Sequence, residues 1–460
     1  MRNTAACALV GASLLLAATA PACATQIDRV VSPGGIEFWL VKEPTVPLIA
    51  MDFAFLGGTT QDPDDKPGVA SMVAGTIDEG SGDLPSRAFH EALEEKAIEL
   101  SFTATRDYFS GQLRTLVENK DTAFELMRTS INAPRIDPPD LERIRGEVYA
   151  ILRRESTSPN DIASERWWAT AFAGHPYARP VRGTPDSVKS ITADDMRAYM
   201  KRVFARDHLK VGIVGNVDAA TAGALVDKVF GALPAQADLR PIPNVAPQDL
   251  GHVVKVDLDV PQSVLLIGGG GIARKDPDFI PAFLVNEILG GNALSSRLGT
   301  EVRVKRGLAY GIYSSIAALQ HTSLFMTSTA TRSEAADETL AIATQEIRRM
   351  AEAGPTDEEL AKTKSYLKGS FPLRFDTSTK IAAQLVAMQA DDLGIDYIDK
   401  RNGLVDAVTP ADAKRVAKRL LDGDMLVAVV GREKPALVRR DVPGAGAGTT
   451  SGPPALAKPH

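Results

Sequence analysis

The sequence predicts an α+β protein of two similar domains, each a mainly antiparallel sheet with helices packed on it. Three observations carry this expectation. The chain has 460 residues, too long for one ordinary domain and suited to two of about 200 each. Strand-like and helix-like runs are mixed without strict alternation, which argues against a doubly wound parallel sheet. Finally, segments recur at a fixed displacement. Ile191-Thr-Ala-Asp-Asp195 leads into a helix and then a strand ending at Gly215, and Val408-Thr-Pro-Ala-Asp412 leads into a helix and then Leu426-Val-Ala-Val-Val-Gly431. Asp140-Leu-Glu-Arg-Ile-Arg145 resembles Glu359-Leu-Ala-Lys-Thr-Lys364 in the same way. The displacements are 217–219 positions, as two copies of one unit would give.

Each element follows from local pattern. Ile36–Leu40 and Leu48–Phe55 read as strands, the second closed by Gly57-Gly58. Pro67 and Gly68 open a helix of small and apolar residues running to about Ile77. A helix from Pro85 to Ala97 places Phe89, Leu93 and Ala97 on one face, and Glu99–Thr105 and Tyr108–Val117 form a hairpin-like pair. Helices are expected over Thr122–Asn132, Pro138–Glu155, Ala163–Phe172 and Ala193–Val203, followed by the strand Leu209–Gly215. Residues 27–233 form the expected first domain. The Pro-rich stretch 234–247 reads as a linker, 248–440 as the second domain, and the Gly/Ala/Pro/Thr tail 441–460 as disordered.

Composition excludes some functions. The hydrophobic fraction of 44% and charged fraction of 24% suit a globular protein with real cores. A net charge of −6, spread without long runs, offers no footprint for nucleic acid. Arg2, an apolar run from Ala5 to Ala20 and the Ala22-x-Ala24 pattern read as a signal peptide over 1–24, implying a periplasmic or secreted protein. Both cysteines, Cys7 and Cys23, fall in this leader, so removal after Ala24 leaves no thiol. Lipidation at Cys23 is the competing reading, weakened by the lack of a large apolar residue three places upstream. No later segment is long and apolar enough to span a bilayer.

Local chemistry is sparse. Of the six histidines, His90, His175, His208, His252, His321 and His460, no two share a helical turn, as a helical zinc site requires. His90-Glu91-Ala-Leu-Glu94 comes nearest and reads as a solvated helix face. No Gly-x-Ser-x-Gly elbow is present. Gly268–Gly271 lacks the Gly-Lys-Ser/Thr ending of a phosphate loop and reads as a strand exit or a close backbone approach.

Several blocks, in order, resemble the pitrilysin/insulinase family of inverted-zincin peptidases, in its processing-peptidase-like branch. In the first half they are Phe55-Leu-Gly-Gly-Thr-Thr-Gln-Asp62, Lys66-Pro-Gly-Val-Ala70, His175-Pro-Tyr177, Arg182-Gly-Thr-Pro185 and Val214-Gly-Asn-Val217. In the second they are Asp276-Pro-Asp278, Asn286-Glu-Ile-Leu-Gly-Gly291, Ser296-Arg-Leu298 and Arg303 through Tyr310. The resemblance spans residues 27 to 432. Where active members carry His-x-x-Glu-His, this chain has Ser71-Met-Val-Ala-Gly75, so the two imidazoles become Ser71 and Gly75 and the general base becomes Ala74. The third ligand, a glutamate, should fall near Ala150–Leu152, which is apolar, and Glu147 cannot rebuild the site alone. Neither Gly nor Ala binds zinc or moves a proton.

What the family keeps in its second domain is present. The resemblance implies that Arg303 and Tyr310 hold a peptide backbone and help stabilise the oxyanion, as a guanidinium and a phenol can. On the residues alone, Arg303 could instead pair with Glu301 or Glu287, with Tyr310 as strand packing. Gly307 places a helix-to-strand passage between them. The implied function is the non-catalytic, substrate-binding subunit of a heterodimeric zinc metallopeptidase. Its homologous partner would carry the intact motif, the zinc and the base, and its substrate would be an unfolded peptide. This chain itself would bind no cofactor. The alternative is a non-enzymatic scaffold or binding protein that retains the fold.

Overall fold

A computed structural model describes residues 26–292 and 294–432; the expected signal peptide, Cys23 and the tail from 441 lie outside the described residues. The first half builds a six-stranded sheet from β1 (Asp28–Val31), β2 (Glu37–Lys42), β3 (Leu48–Leu56), β4 (Glu99–Ala104), β5 (Tyr108–Leu116) and β6 (Leu209–Gly215). Its order is β1-β2-β6-β3-β5-β4, antiparallel throughout except for β2 beside β6. The second half contributes β7 (Val253–Asp257), β8 (Gln262–Gly270), β9 (Ala309–Ala318), β10 (Ser323–Arg332) and β11 (Leu426–Gly431), ordered β9-β10-β8-β11-β7. Here again one pair alone, β11 with β7, is parallel. Starting from the parallel pair, β2-β6-β3-β5-β4 and β7-β11-β8-β10-β9 have the same connectivity. The expected duplication is therefore present in the topology, with Leu209 of β6 and Leu426 of β11 displaced by 217 positions.

The helices of the first half are α1 (Val69–Thr76), α2 (Ser86–Glu95), α3 (Lys120–Asn132), α4 (Pro138–Glu155), α5 (Pro159–Ala171), α6 (Pro185–Ser190), α7 (Ala193–Val203) and α8 (Ala219–Phe230). Those of the second are α9 (Phe279–Asn286), α10 (Ala336–Ala353), α11 (Asp357–Ser370), α12 (Ser378–Ala390), α13 (Tyr397–Ala407) and α14 (Pro410–Leu421). The recurring Thr-x-x-Asp signature is one capping box used twice. Thr192 accepts from the Asp195 N–H and the Asp195 carboxylate accepts from the Thr192 N–H; Thr409 and Asp412 do the same for α14. α5 starts four residues earlier than its apolar pattern suggests, because Ser158 caps it and Pro159 takes the first turn, where a missing N–H costs nothing. The short α6 and the Asp218-capped α8 are not among the expected elements.

Each sheet has its own helices on one face and one helix of the other half on the opposite face. Along β3, Ile49, Met51, Phe53 and Phe55 point into the first core with Val69, Val73, Phe124 and Phe230. On the reverse face, Ala50, Trp39, Val41 and Val214 meet Ala382, Leu385 and Met388 of α12. Reciprocally, Ala163, Trp167 and Ala171 of α5 pack on Val264, Leu426, Ala428 and Val430 of the second sheet. One hydrogen bond secures each exchange. The Trp167 indole N–H donates to the Leu426 carbonyl at 3.1 Å, and the Gln389 amide of α12 donates to the Val211 carbonyl at 2.9 Å.

A glycine makes room under each exchanged helix. A Cβ on Gly268 would lie 2.6 Å from the Trp167 ring, and one on Gly212 would lie 2.7 Å from the Ala382 carbonyl. Gly268–Gly270 are the last residues of β8 and Gly271 lies just past it, so the glycine run is both a close approach, at Gly268, and the strand's exit.

Candidate functional site

α1 carries the residues that replace a metal motif. Its N-terminus is held by Asp62, whose buried carboxylate accepts from the Gly68 N–H at 2.7 Å and the Ala70 N–H at 2.8 Å. Burial pushes this carboxyl up to about 7, against the pull of those N–H groups and of Arg179 and Arg202. Gly68 adopts φ 104°, in the left-handed region that admits glycine, and lets the chain turn into the helix.

On the helix itself, the Ser71 hydroxyl donates to the Val181 carbonyl at 2.7 Å. Ala74 is buried, and a Cβ on Gly75 would meet an Ile144 methyl of α4 at 3.3 Å. Further along α4, Glu147 is taken up by Arg143 and Glu155 by Arg182, each at 2.7 Å. His90 lies 3.3 Å from Glu79, which also binds Ser86 and Arg143. These residues do not fit a zinc ion, and among the described residues no group of three or more His, Cys, Asp or Glu side chains is placed to hold a metal.

Beside α1, between α4, α5 and residues 178–185, lies a cavity of about 670 Å³. Its walls include Leu152, Trp168 and the arginines Arg106, Arg153 and Arg182. The Arg106 guanidinium stacks 3.7 Å from the centre of the Trp168 ring and donates from Nε to the Tyr177 carbonyl at 3.3 Å. Burial pulls its pKa down to about 10. Arg106 and Trp168 are 62 positions apart, and no local pattern in the sequence pairs them.

Arg303 and Tyr310 are brought together. Arg303 sits in a π-helical turn, Gly299–Val304, and Gly307 at φ +61° turns the chain into β9. The guanidinium carbon lies 4.5 Å from the centre of the Tyr310 ring, a cation–π distance. Glu301 is occupied by Lys305 and Arg306, each at 2.6 Å, so it is not the partner of Arg303. Tyr310 is 85% exposed, which rules out strand packing as its role. The pair stands at the open edge of the second sheet, since β9 has a neighbour on one side only.

The tips of the two equivalent hairpins meet in a polar junction built on the buried Asp107 and Tyr177. Tyr177 donates its hydroxyl to Asp107 at 2.7 Å, Asp107 accepts the Gln320 N–H at 3.0 Å, and the Tyr177 oxygen accepts the His321 N–H at 3.1 Å. Gln320 also donates to the Tyr108 hydroxyl at 2.6 Å. Burial raises the pKa of both tyrosines and lowers that of His321. His175 fixes the turn by accepting the Tyr177 N–H at 3.1 Å.

Fold and site together define a duplicated, peptidase-like chain in which the described residues offer no ligand set for a metal. Residues 40–185 match the family model described as insulinase (peptidase family M16), and residues 190–367 match the peptidase M16 inactive domain. The chain belongs to peptidase family M16, and it is of the inactive-domain type, related to peptidase subunits. It is 25% identical over 419 residues to an uncharacterized zinc protease of Streptomyces coelicolor, covering 88% of this chain and 89% of that one. It is 25% identical over 337 residues to the non-peptidase homolog YmxG of Helicobacter pylori, covering 72% and 77%. The crystal structure of a peptidase M16 inactive domain from Pseudomonas fluorescens aligns with a TM-score of 0.83 at 26% identity, covering 89% of this chain and 98% of that one. Among the described residues no helix is long and apolar enough to cross a membrane.

Proposed function

We propose that this chain is the substrate-binding, non-metal subunit of a two-chain zinc metallopeptidase that degrades or processes peptides in the periplasm or outside the cell. One observation carries the reading: α1 has no metal ligands left, while Arg303, half-buried, remains stacked on a Tyr310 that is open to solvent. A catalytic partner with an intact His-x-x-Glu-His helix would bring zinc and the general base. Here the Arg303 guanidinium and Tyr310 phenol would donate to a peptide carbonyl as it gains charge. The free edges β4 and β9 offer unpaired backbone to an extended peptide, so main-chain contacts would dominate and sequence preference would be set by few side chains.

The test is peptide cleavage by the mature chain alone and mixed with an M16 peptidase encoded beside it, with bound zinc counted in each. Activity and zinc in the mixture only is the expected result. Zinc and cleavage by this chain alone would sink the reading. Silence in both would favour the second reading, a scaffold that retains the fold, which the similarity to a protein named a non-peptidase homolog supports.

A further inference from the structure

The edge strand that carries Tyr310 is irregular at that residue. Ala309 pairs with Thr331 and Ile312 with Thr329, so β9 has two residues where β10 has one. This is a β-bulge, and it changes which side chains share a face. In a regular strand, positions three apart point to opposite sides. Here Ala309 and Ile312 are both buried, while Tyr310 and Tyr313 are 85% and 49% exposed and line one cavity of about 480 Å³.

The bulge is built into its surroundings. Thr329 donates its hydroxyl to the Gly311 carbonyl at 2.8 Å, and Thr331 donates to the Leu308 carbonyl at 2.7 Å, replacing ladder bonds that the bulge disrupts. Gly311 leaves space that the Tyr313 ring uses. A Cβ there would lie 2.8 Å from Tyr313 Cε2 and 3.0 Å from its hydroxyl, so the ring folds back over the strand only because Gly311 has no side chain. Asn160 from the first half, Gln262 and Arg332 complete the walls; Arg332 has Glu334 at 3.5 Å, and none of the described lining residues is a carboxylate. The two tyrosine rings and the neutral amides favour an apolar or aromatic group, and the Arg303 guanidinium stacked on Tyr310 disfavours a cation.

We propose that Tyr310 and Tyr313 form a two-ring clamp for an aromatic or bulky apolar side chain of an extended peptide lying along β9, with Tyr313 the residue that sets the preference. The inference rests on the substrate-binding reading of Arg303 and Tyr310 and deepens it. Tyr313 is the specificity-determining contact, and the bulge is the device that aims it.

The experiment is fluorescence anisotropy of the full mature chain with labelled Ala/Ser peptides that differ at one central residue, Phe or Lys. Wild type should bind the Phe peptide at least about tenfold more tightly than the Lys peptide. Tyr313→Ala should bring that ratio to within about twofold of unity, with the Lys peptide's own affinity unchanged. Gly311→Ala should do the same by displacing the ring, and Tyr313→Phe should keep the ratio, with melting curves confirming that each variant is folded. A ratio untouched by Tyr313→Ala, or equal binding of both peptides to wild type, overturns the clamp but not the substrate-binding reading, provided that Arg303→Ala weakens both peptides alike. Absence of peptide binding to wild type overturns both.

Discussion

Trp167 in α5 donates its indole N–H to the carbonyl of Leu426 in β11, a bond between residues 259 positions apart that joins the two halves of the chain. Its ring is fully buried against Val264, Leu324 and Ala428, all of the other half. Trp167→Ala should therefore cost about 3–5 kcal/mol. Because α12 is lent in the opposite direction, the loss should lower one cooperative transition of the whole chain, followed by far-ultraviolet circular dichroism in urea. Two transitions, only one of them shifted, would mean that the halves fold independently.

Arg303→Ala should lower kcat/KM of the assembled pair by about 10–100-fold without preventing assembly. Arg303→Lys should not restore it, because an ammonium cannot stack flat on the Tyr310 ring or present two parallel donors. Size-exclusion chromatography of the pair alongside the kinetics checks both halves of the statement. Unchanged turnover would remove the assigned role.

Asp52, on the face of β3 shared with Ala50, has a carboxyl that burial pushes up to about 6, against a hydrogen bond donated by Gln112 at 3.4 Å. The folded protein thus holds this proton more tightly than the unfolded chain. The stability it lends is present below about pH 4 and is lost as the pH rises through 6. Asp52→Asn should match wild type near pH 4 and exceed it by about 1–2 kcal/mol at pH 7. A difference between the two proteins that does not vary with pH would refute the assignment.

Asp62→Ala should cost about 2–3 kcal/mol, since two N–H groups of the first turn of α1 lose their acceptor in a buried place. Asp62→Asn should recover only part of this, because an amide accepts through one oxygen and turns a donor toward the second N–H. Urea denaturation of the three proteins decides it, and a loss below about 0.5 kcal/mol for Asp62→Ala would show that water replaces the cap.

Features written within a few residues were legible in the sequence. The helix starts after Thr192 and Thr409 and the turn at Gly307 are local, and each appears where its pattern places it. The start of α5 was obscured because its first turn holds Pro159 and polar residues, which announce themselves through the Ser158 cap rather than through apolar spacing. The Arg106–Trp168 stack and the Trp167–Leu426 bond depend on chain segments that meet only after folding. Tyr313 is a different case. Its spacing from Tyr310 points to the opposite face of a regular strand, and only the neighbour's register reveals the bulge that reverses it.

The exchange of α5 and α12 also sets a clock on synthesis. β6 ends at Gly215, and the helix that covers its reverse face begins at Ser378. At roughly 5–20 residues per second, the intervening segment of about 160 residues takes about 8–30 s to emerge. Throughout that interval Trp39, Val41, Ala50 and Val214 stand bare on a nascent sheet. The early half is thus a natural client for a holding chaperone, and a ribosome stalled in this window would leave an adhesive chain rather than a finished domain.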